Sequence, residues 1–327
     1  MSSSRSVIGI DLGGTKVAAA LLHAGKLGES VVHPTDLSGS DALIAQLVAI
    51  VDEARAGAAI DGVGIGVPSI VEFATGRVVA SVNIPLVDVP LRAVLGERLG
   101  GVPVFVDNDA TVAALAEAHD EDLRMVAHNL VMLTIGTGVG GGLVLGGRIY
   151  RGATGGAGEV GHTLVAVQPA DDKLPPPHWP QPDSLEYLAS GRALGRLATG
   201  IGMANGGDVV RAAQGGDARA LAVLGQWARM VGVGIANAIN TFDPDEVVLG
   251  GGAAAACGDL LLEPAIRVAH ASVVPGLGTS TTIRLARFHA ISGVLGAALL
   301  AAHELATGSA PAPAVMPAPA GSASDPR

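Results

Sequence analysis

Residues 8–17, with the sequence IGIDLGGTKV, set a glycine turn between two apolar segments. Residues 6–12 and 17–22 are aliphatic, β-branched or small, as strands are, and neither segment begins with a helix cap. The stretch therefore predicts a β-hairpin. Glycine tolerates positive φ and leaves backbone N–H groups uncovered, so the turn is also a candidate anion site. An ordinary glycine hairpin would show the same pattern.

A P-loop is the main look-alike of this turn. Gly9 and Gly14 have the spacing of G-x-x-x-x-G-K-[ST], but Thr15 and Lys16 stand in reversed order. A P-loop also leads from a strand into a helix, whereas a second strand follows here. The sequence therefore excludes a P-loop.

A second glycine turn repeats the arrangement far along the chain. Residues 133–142 read LTIGTGVGGG, and residues 131–145 again give strand, glycine turn, strand. Gly146 and Gly147 predict the turn of a further hairpin. Two anion-binding turns far apart in sequence suggest two loops that bind one nucleotide from opposite sides.

Composition limits the class of protein. The 327 residues favour two domains, and 47 glycines divide the apolar residues into short runs, so we expect no membrane span. The N-terminus has no signal-peptide pattern, which predicts a cytoplasmic protein. Cys257 is the only cysteine, which excludes an intramolecular disulfide and a cysteine-rich zinc site. A net charge of −10 and 2% aromatic residues argue against a nucleic-acid partner.

Strands and helices alternate along the rest of the chain. Ser40 and Asp41 predict the start of a capped helix, and residues 307–327 have the composition of a disordered tail. The other predicted elements are strands at 63–67, 102–106, 129–135 and 246–249, and helices at 110–118, 218–239 and 291–306.

The order and spacing of several motifs resemble the ROK family (repressors, open reading frames, kinases) from Val7 to about Ala306. The motifs are DLGGTK at 11–16, Asn108-Asp109, GTGVGGG at 136–142, GGAGEVGH at 155–162, Leu185-Glu186 and ASG at 189–191. The resemblance implies an α/β protein with the actin-like ATPase (ribonuclease H-like) fold, in which two lobes each hold a mixed β-sheet flanked by helices. It implies a small lobe at 1–127, joined by the C-terminal helix 291–306, and a large lobe at 128–290 with the sugar and nucleotide sites.

The same resemblance implies ATP-dependent phosphorylation of a hexose at its 6-hydroxyl, with ATP and Mg²⁺ as cofactors and glucose as the expected sugar. The alternatives are a kinase for mannose, fructose, N-acetylglucosamine or N-acetylmannosamine, and a non-catalytic sugar sensor. A sensor is expected to lose Asp109 or the phosphate loops, and both are present. Family repressors carry an N-terminal helix-turn-helix, and with six residues before Val7 no such domain is expected here. A homodimer is expected, and polyphosphate as donor stays open.

Asp109 is the candidate catalytic base. It follows Asn108 at a predicted helix start, where the helix dipole favours an ionised carboxylate that can accept a proton. Alternatively, Asp107, Asn108 and Asp109 only cap the helix. The resemblance makes Asp109 the base on the 6-hydroxyl and Asn108 a sugar ligand. Other sugar hydroxyls fall to Glu159, His162 and Glu186; Asn83 is either a turn residue or a further sugar contact.

The nucleotide residues are also implied by the resemblance. Asp11 is placed near the magnesium ion, through water. The phosphates fall to Gly13, Gly14, Thr15, Lys16, Gly136, Thr137, Gly138 and Gly140. Gly250, Gly251 and Gly252 are placed against adenosine, although a helix-entry turn would explain these three glycines equally well.

The chain departs from the family where many members carry three zinc-binding cysteines. Residues 163–185 contain no cysteine, and Ser184 stands where the last of the three would be, so no zinc site is expected. The proline-rich segment 174–182 is expected to take over the structural role, which leaves His162 free for the sugar. Ser69 is a smaller departure, since the family has glycine there.

Overall fold

The computed structural model describes residues 5–81, 83–165 and 179–308. The strands are β1 (Ser6–Leu12), β2 (Lys16–His23), β3 (Lys26–Leu27), β4 (Val31–Pro34), β5 (Gly62–Val67), β6 (Ser69–Glu72), β7 (Arg77–Ser81), β8 (Val104–Asn108), β9 (Leu130–Ile135), β10 (Val139–Leu145), β11 (Arg148–Ile149), β12 (Glu246–Gly250) and β13 (Thr282–Leu285). The helices are α1 (Ser40–Arg55), α2 (Leu91–Arg98), α3 (Asp109–Glu117), α4 (Leu185–Ala189), α5 (Gly191–Gly200), α6 (Gly206–Gln214), α7 (Ala218–Phe242), α8 (Gly252–Cys257), α9 (Asp259–Ser272) and α10 (Ser292–Thr307).

The two predicted glycine hairpins each form part of a mixed sheet. In the first sheet, β1 pairs antiparallel with β2 and parallel with β5, and β5 is parallel to β8. In the second sheet, β9 pairs antiparallel with β10 and parallel with β12, and β12 is parallel to β13. The hairpin predictions are confirmed. The four strands named in each sheet have the same order and the same relative directions. Open sheets of this kind bind ligands beyond the carboxyl ends of their parallel strands.

Helix α1 shows how the sequence pattern translates into packing. Its apolar residues recur at helical spacing, and Leu43, Leu47 and Ile50 are buried against the first sheet. The predicted cap is wrong in detail: Ser40 lies inside the helix, and Gly39 precedes it without a side-chain capping bond. Extended backbone at Gly39 turns the chain into the helix instead.

Helix α10 returns from the second sheet to the first. Its apolar residues, including Leu295 and Leu300, are buried against β1, β5 and α3. Residues His289–Thr307 are long and apolar enough to cross a membrane by length and composition alone, and 50% of the stretch is buried inside the protein. The prediction that no segment is long and apolar enough to span a membrane is therefore wrong. The reason is that α10 is a core helix whose small residues make it apolar on every side.

The C-terminal boundaries differ slightly from the prediction. Helix α10 includes Thr307, so the predicted tail 307–327 begins one residue too early, and residues 309–327 lie outside the described residues. The lobe boundaries at 127 and 290 stay predictions.

A buried carboxylate ties α3 to the segment that leads into α10. Glu117 is fully buried, and Oε2 accepts bonds from Nη1 of Arg284 at 2.7 Å and the Arg287 N–H at 2.8 Å. Oε1 accepts bonds from the Phe288 N–H at 2.9 Å and the Ser292 hydroxyl at 3.0 Å. Three of these four donors lie in residues 286–293, so Glu117 holds this wall against the helix that Asp109 begins.

We expect Glu117→Ala to lower the free energy of unfolding by about 3–5 kcal/mol, because it removes a fully buried carboxylate and leaves its four donors without this acceptor. Urea unfolding measures the change. Arg124→Ala is the matched control, since its ion pair with Asp122 is exposed and contributes about 1 kcal/mol at most. A loss at Glu117 no larger than that of the control would contradict the structural role.

Candidate functional site

Two cavities meet at Asp109. The Asp11 cavity has a volume of about 530 Å³, and the Glu159 cavity has a volume of about 640 Å³. Asp109, Ala110, Thr134 and Gly251 line both. Further walls of the Asp11 cavity are Lys16, Ala113, Met132, Leu249, Gly250, Gly252, Ala255, Leu285, Ala286, His289, Ala290, Ser292 and Gly293. The arrangement can hold two ligands with one carboxylate between them.

The three polar residues at the start of α3 have three different roles. Asp107 is buried, and its Oδ2 accepts a bond from Nε of Arg151 at 2.7 Å. Asn108 caps the helix, because its Oδ1 accepts the Thr111 N–H at 3.1 Å. Asp109 lies at the junction of the cavities, with Oδ1 accepting the Ala110 N–H at 2.8 Å. Capping therefore accounts for Asn108, whereas Asp109 faces both cavities.

Asn108 also belongs to the wall of the Glu159 cavity. Its Nδ2 donates to the carbonyl of Ser69 at 3.4 Å, while the buried Ser69 hydroxyl has no partner among the described residues. The residue that departs from the family pattern thus lies in the cavity wall beside the candidate sugar ligand.

The surroundings of Asp109 change its proton affinity. Burial raises its pKa from the ordinary value of 3.8 to about 6, against the opposing effect of the Ala110 N–H. The carboxylates of Asp11 and Glu159 contribute to this same rise, after burial. A carboxylate with a pKa near 6 holds a proton more readily than an ordinary aspartate, which suits a general base.

Asp11 lies at the end of β1, beside the start of α10. Burial raises its pKa, and the charge of Lys16 opposes that shift. A Cβ at Gly293 would lie 2.5 Å from the carboxyl carbon of Asp11, so any larger residue there would displace this carboxylate. The close approach also brings Asp11 to the N-terminal end of α10, where the helix dipole favours a negative charge.

The first glycine turn contributes less to the cavities than predicted. Lys16 lines the Asp11 cavity, whereas Gly13, Gly14 and Thr15 are not among its wall residues. The Gly13 N–H bonds the Lys16 carbonyl at 2.9 Å inside the turn. Neither glycine has positive φ, so the expectation of left-handed backbone here is wrong. Asn83 lines the Glu159 cavity, and its Cβ would be 3.0 Å from a Cβ at Gly14.

The second glycine turn lies on the other cavity. Gly136, Thr137, Gly138 and Gly140 all line the Glu159 cavity, and none of these three glycines has positive φ. A Cβ at Gly138 would displace the carboxylate of Glu186, which it would approach to 2.4 Å.

Glu186 connects that turn to the cavity wall. Its Oε2 accepts the Val139 N–H at 2.9 Å, which leaves Oε1 available to a ligand. Ser184 caps the helix of Glu186, since its hydroxyl accepts the Tyr187 N–H at 3.2 Å. The side chain at the position of the family's last zinc cysteine is therefore a helix cap.

Glu159 and His162 stand on a short 3₁₀ turn, Val160–His162. Both line the Glu159 cavity, and Nε2 of His162 lies 3.7 Å from Oε2 of Glu159. Nδ1 of His162 is buried and has no hydrogen-bond partner among the described residues. The cavity thus offers carboxylate, imidazole and amide groups, which can hold several hydroxyls in fixed directions.

Gly250 ends β12, Gly251 follows it and Gly252 begins α8, and all three line the Asp11 cavity. Gly251 has φ of 87°, and a Cβ there would lie 2.5 Å from the carbonyl oxygen of Ile135. Helix α8 begins directly afterwards, so the segment is a helix-entry turn as well as a cavity wall.

Among the described residues, no group of three or more His, Cys, Asp and Glu side chains could hold a metal ion. Of the proline-rich segment 174–182, only residues 179–182 are described, and the remainder lies outside the described residues. We expect elemental analysis of the purified protein to find zinc well below one atom per chain, because residues 163–185 offer no thiolate. A stoichiometric, tightly bound zinc would contradict that expectation.

Sequence reasoning missed several wall residues. Ile70, Ala80 and Arg192 line the Glu159 cavity, as does Trp179 at the end of the segment expected to be only structural. In the Asp11 cavity, the missed residues include His289 and Gly293. A glycine beside the apolar start of a helix gives no signal that it faces a carboxylate far away in the chain.

Comparison with known protein sequences identifies the family of the chain. The model of the ROK family matches residues 7–304. A glucokinase of Halalkalibacterium halodurans is 34% identical over 317 residues, which cover 90% of this chain and 94% of that protein. A putative xylose repressor of Caldicellulosiruptor sp. is 33% identical, covering 81% of this chain and 70% of that protein. An N-acetyl-D-glucosamine kinase of Citrobacter koseri is 34% identical, covering 75% and 83%.

Solved structures agree in fold. The ROK hexokinase from Thermus thermophilus has a TM-score of 0.79 and 36% identity, covering 93% of this chain and 100% of that one. A ROK family glucokinase from Streptomyces griseus, in complex with glucose and AMPPNP, has a TM-score of 0.74 and 28% identity, covering 91% and 99%. The predicted actin-like ATPase fold is confirmed, and the chain belongs to the ROK family.

Proposed function

We propose that this protein transfers the γ-phosphoryl group of ATP to the 6-hydroxyl of a hexose, with glucose as the expected substrate. The observation that best supports this proposal is the position of Asp109, which lines both cavities. Phosphoryl transfer needs donor and acceptor aligned on either side of one point, and a base at that point can take the hydroxyl proton. A binding protein for sugar alone would need no second cavity there.

In this proposal the hexose occupies the Glu159 cavity and its 6-hydroxyl faces Asp109. Asn108, Glu159, His162 and Glu186 bind the remaining hydroxyls. Asp109 accepts the proton as the oxygen attacks phosphorus. Because Oε2 of Glu186 already accepts the Val139 N–H, its other oxygen would take the sugar hydroxyl.

The nucleotide occupies the Asp11 cavity, with adenosine against Gly250, Gly251 and Gly252. The phosphates extend toward Asp109 between the two glycine turns, where Lys16 and the groups at Gly13, Gly14, Thr15, Gly136, Thr137, Gly138 and Gly140 are proposed to bind them. Buried Asp11, with Lys16 as its opposing charge, suits a hydrated cation, and Mg²⁺ needs few protein ligands when phosphates supply others. When bound, Mg²⁺ would neutralise phosphate charge, held by Asp11 through water.

A panel of hexoses and N-acetylhexosamines with ATP and Mg²⁺, followed by ADP release, tests this function. We expect turnover with glucose above that with mannose, fructose, N-acetylglucosamine or N-acetylmannosamine. An arm with polyphosphate in place of ATP identifies the donor. Binding of sugars without ADP release would favour the sensor, and a faster amino sugar would reassign the substrate.

We expect glucose to close the cleft, because its proposed ligands are Asn108 at the end of β8 in the first sheet and Glu159, His162 and Glu186 in segments that follow β11 of the second sheet. Binding is stronger in the closed state. The radius of gyration from small-angle scattering should fall when glucose is added. ATP hydrolysis without sugar should be far slower than transfer, since closure excludes water. An unchanged radius at saturating glucose would contradict closure.

A homodimer and a cytoplasmic location remain part of the proposal.

A further inference from the structure

Trp179 is an exposed aromatic residue on the wall of the Glu159 cavity. It is 72% exposed, although tryptophan usually buries most of its surface. It is also the one Phe, Tyr or Trp side chain among the described residues that line this cavity. A single exposed apolar residue is ordinary, so its meaning depends on what surrounds it.

The neighbours of Trp179 are candidate sugar ligands. Its ring contacts the imidazole of His162 edge to face, with centroids 5.2 Å apart and planes at 83°. Aromatic pairs prefer such an arrangement, which fixes the relative orientation of the two rings. Trp179 therefore fixes the orientation of the His162 imidazole. It does so from a segment, residues 163–185, that contains no cysteine.

We propose that Trp179 is a sugar-binding residue, whose indole covers a C–H face of the hexose while its edge holds His162 in place. The proposal rests on the proposed function. Small-molecule sites combine apolar and aromatic walls with a few polar groups that fix orientation. The polar groups of this cavity can take the hydroxyls, and the indole supplies the apolar surface that a sugar ring also needs.

This role affects specificity as well as affinity. A pyranose with equatorial hydroxyls presents flat C–H surfaces to an aromatic ring, whereas an axial hydroxyl interrupts one of them. Loss of the ring should therefore weaken binding of the sugar and leave binding of ATP unchanged, since Trp179 is not in the wall of the Asp11 cavity.

Tryptophan fluorescence gives a readout besides activity. The chain has two tryptophans, and Trp227 is fully buried, with its indole N–H bonded to the Ser190 carbonyl at 3.0 Å. We expect glucose to change the wild-type emission in a saturable way and the change to disappear in Trp179→Phe. Trp179→Ala should raise KM for glucose about tenfold, with little change in KM for ATP. Tyr150→Ala, which removes a half-exposed ring outside both cavities, is the control.

Several outcomes would overturn the inference. One is wild-type emission that stays constant at glucose concentrations that saturate turnover. Another is a glucose response that persists in Trp179→Phe. If the wild type phosphorylates glucose and Trp179→Ala keeps its KM for glucose, the proposed function stands and the role of Trp179 falls. If no hexose is bound or phosphorylated, both fall together.

Discussion

Asp109→Asn should abolish sugar phosphorylation while the fold and ATP binding stay intact. The amide keeps an oxygen that can accept the Ala110 N–H, but it cannot take a proton from the hydroxyl. Loss of a general base commonly lowers turnover by about a hundredfold to ten-thousandfold. Initial rates with ATP and glucose measure the effect, and titration with a fluorescent ATP analogue measures nucleotide binding.

Asp122→Asn is the control, because this exposed carboxylate lines neither cavity. Turnover of Asp109→Asn within about threefold of wild type would remove Asp109 from the base role. Asp109→Ala should lose activity as Asp109→Asn does. Comparing the two variants shows whether the introduced amide itself lowers the rate.

The raised pKa of Asp109 also has a consequence for stability. With a folded-state pKa of about 6 and an ordinary value of 3.8, the ionised form is less favourable in the folded protein than in the unfolded chain. This cost is complete above about pH 6, declines as the folded protein takes up the proton, and is absent below about pH 4. Asp109→Asn should therefore be more stable than wild type at pH 8, with the difference disappearing toward pH 4.

Asp11→Asn should lower kcat by about a hundredfold to a thousandfold, because the charge beside the phosphates is lost. It should also raise the concentration of Mg²⁺ needed for half-maximal activity. Steady-state rates over a magnesium titration measure both quantities. An unchanged magnesium dependence would contradict the role of Asp11.

Gly293→Ala tests the same site without changing a charge. Its Cβ would press on the Asp11 carboxylate, so activity should fall although alanine suits a helix. Gly195→Ala is the matched control, because a Cβ at this α5 position meets nothing within 4 Å. Equal activities for the two variants would mean that the position of the Asp11 carboxylate does not matter.

Local patterns predicted much of the fold. The hairpins at 8–17 and 133–142 were predictable, because glycine between two aliphatic segments forms turns in any context. The position of Asp109 was predictable as well, since the end of a strand and a helix start are both visible in sequence. The family resemblance, rather than periodicity, supplied the candidate sugar ligands.

Other features depend on contacts between distant segments. Glu117 on an alanine-rich helix would be expected to face solvent, yet its partners Arg284 and Ser292 lie 167 and 175 residues away in the chain. Gly293 packs directly on the carboxylate of Asp11, and Gly138 on that of Glu186, although nothing near either glycine in the sequence indicates these contacts. None of the glycines at 136–142 has positive φ, and the closest backbone contacts are at Gly141 and Gly142, where a Cβ would lie 2.4 Å from the Gly158 carbonyl oxygen and 2.5 Å from the Ala110 carbonyl oxygen.

The central claim is that Asp109 directs the γ-phosphoryl group of ATP to the 6-hydroxyl of a hexose. The most direct measurement is phosphorus–proton correlation NMR of the product formed from glucose, ATP and Mg²⁺ by wild type and by Asp109→Asn. We expect wild type to give a phosphate coupled to the two protons on carbon 6, and the variant to give none. A phosphate on another carbon, or an equal yield from the variant, would contradict the account.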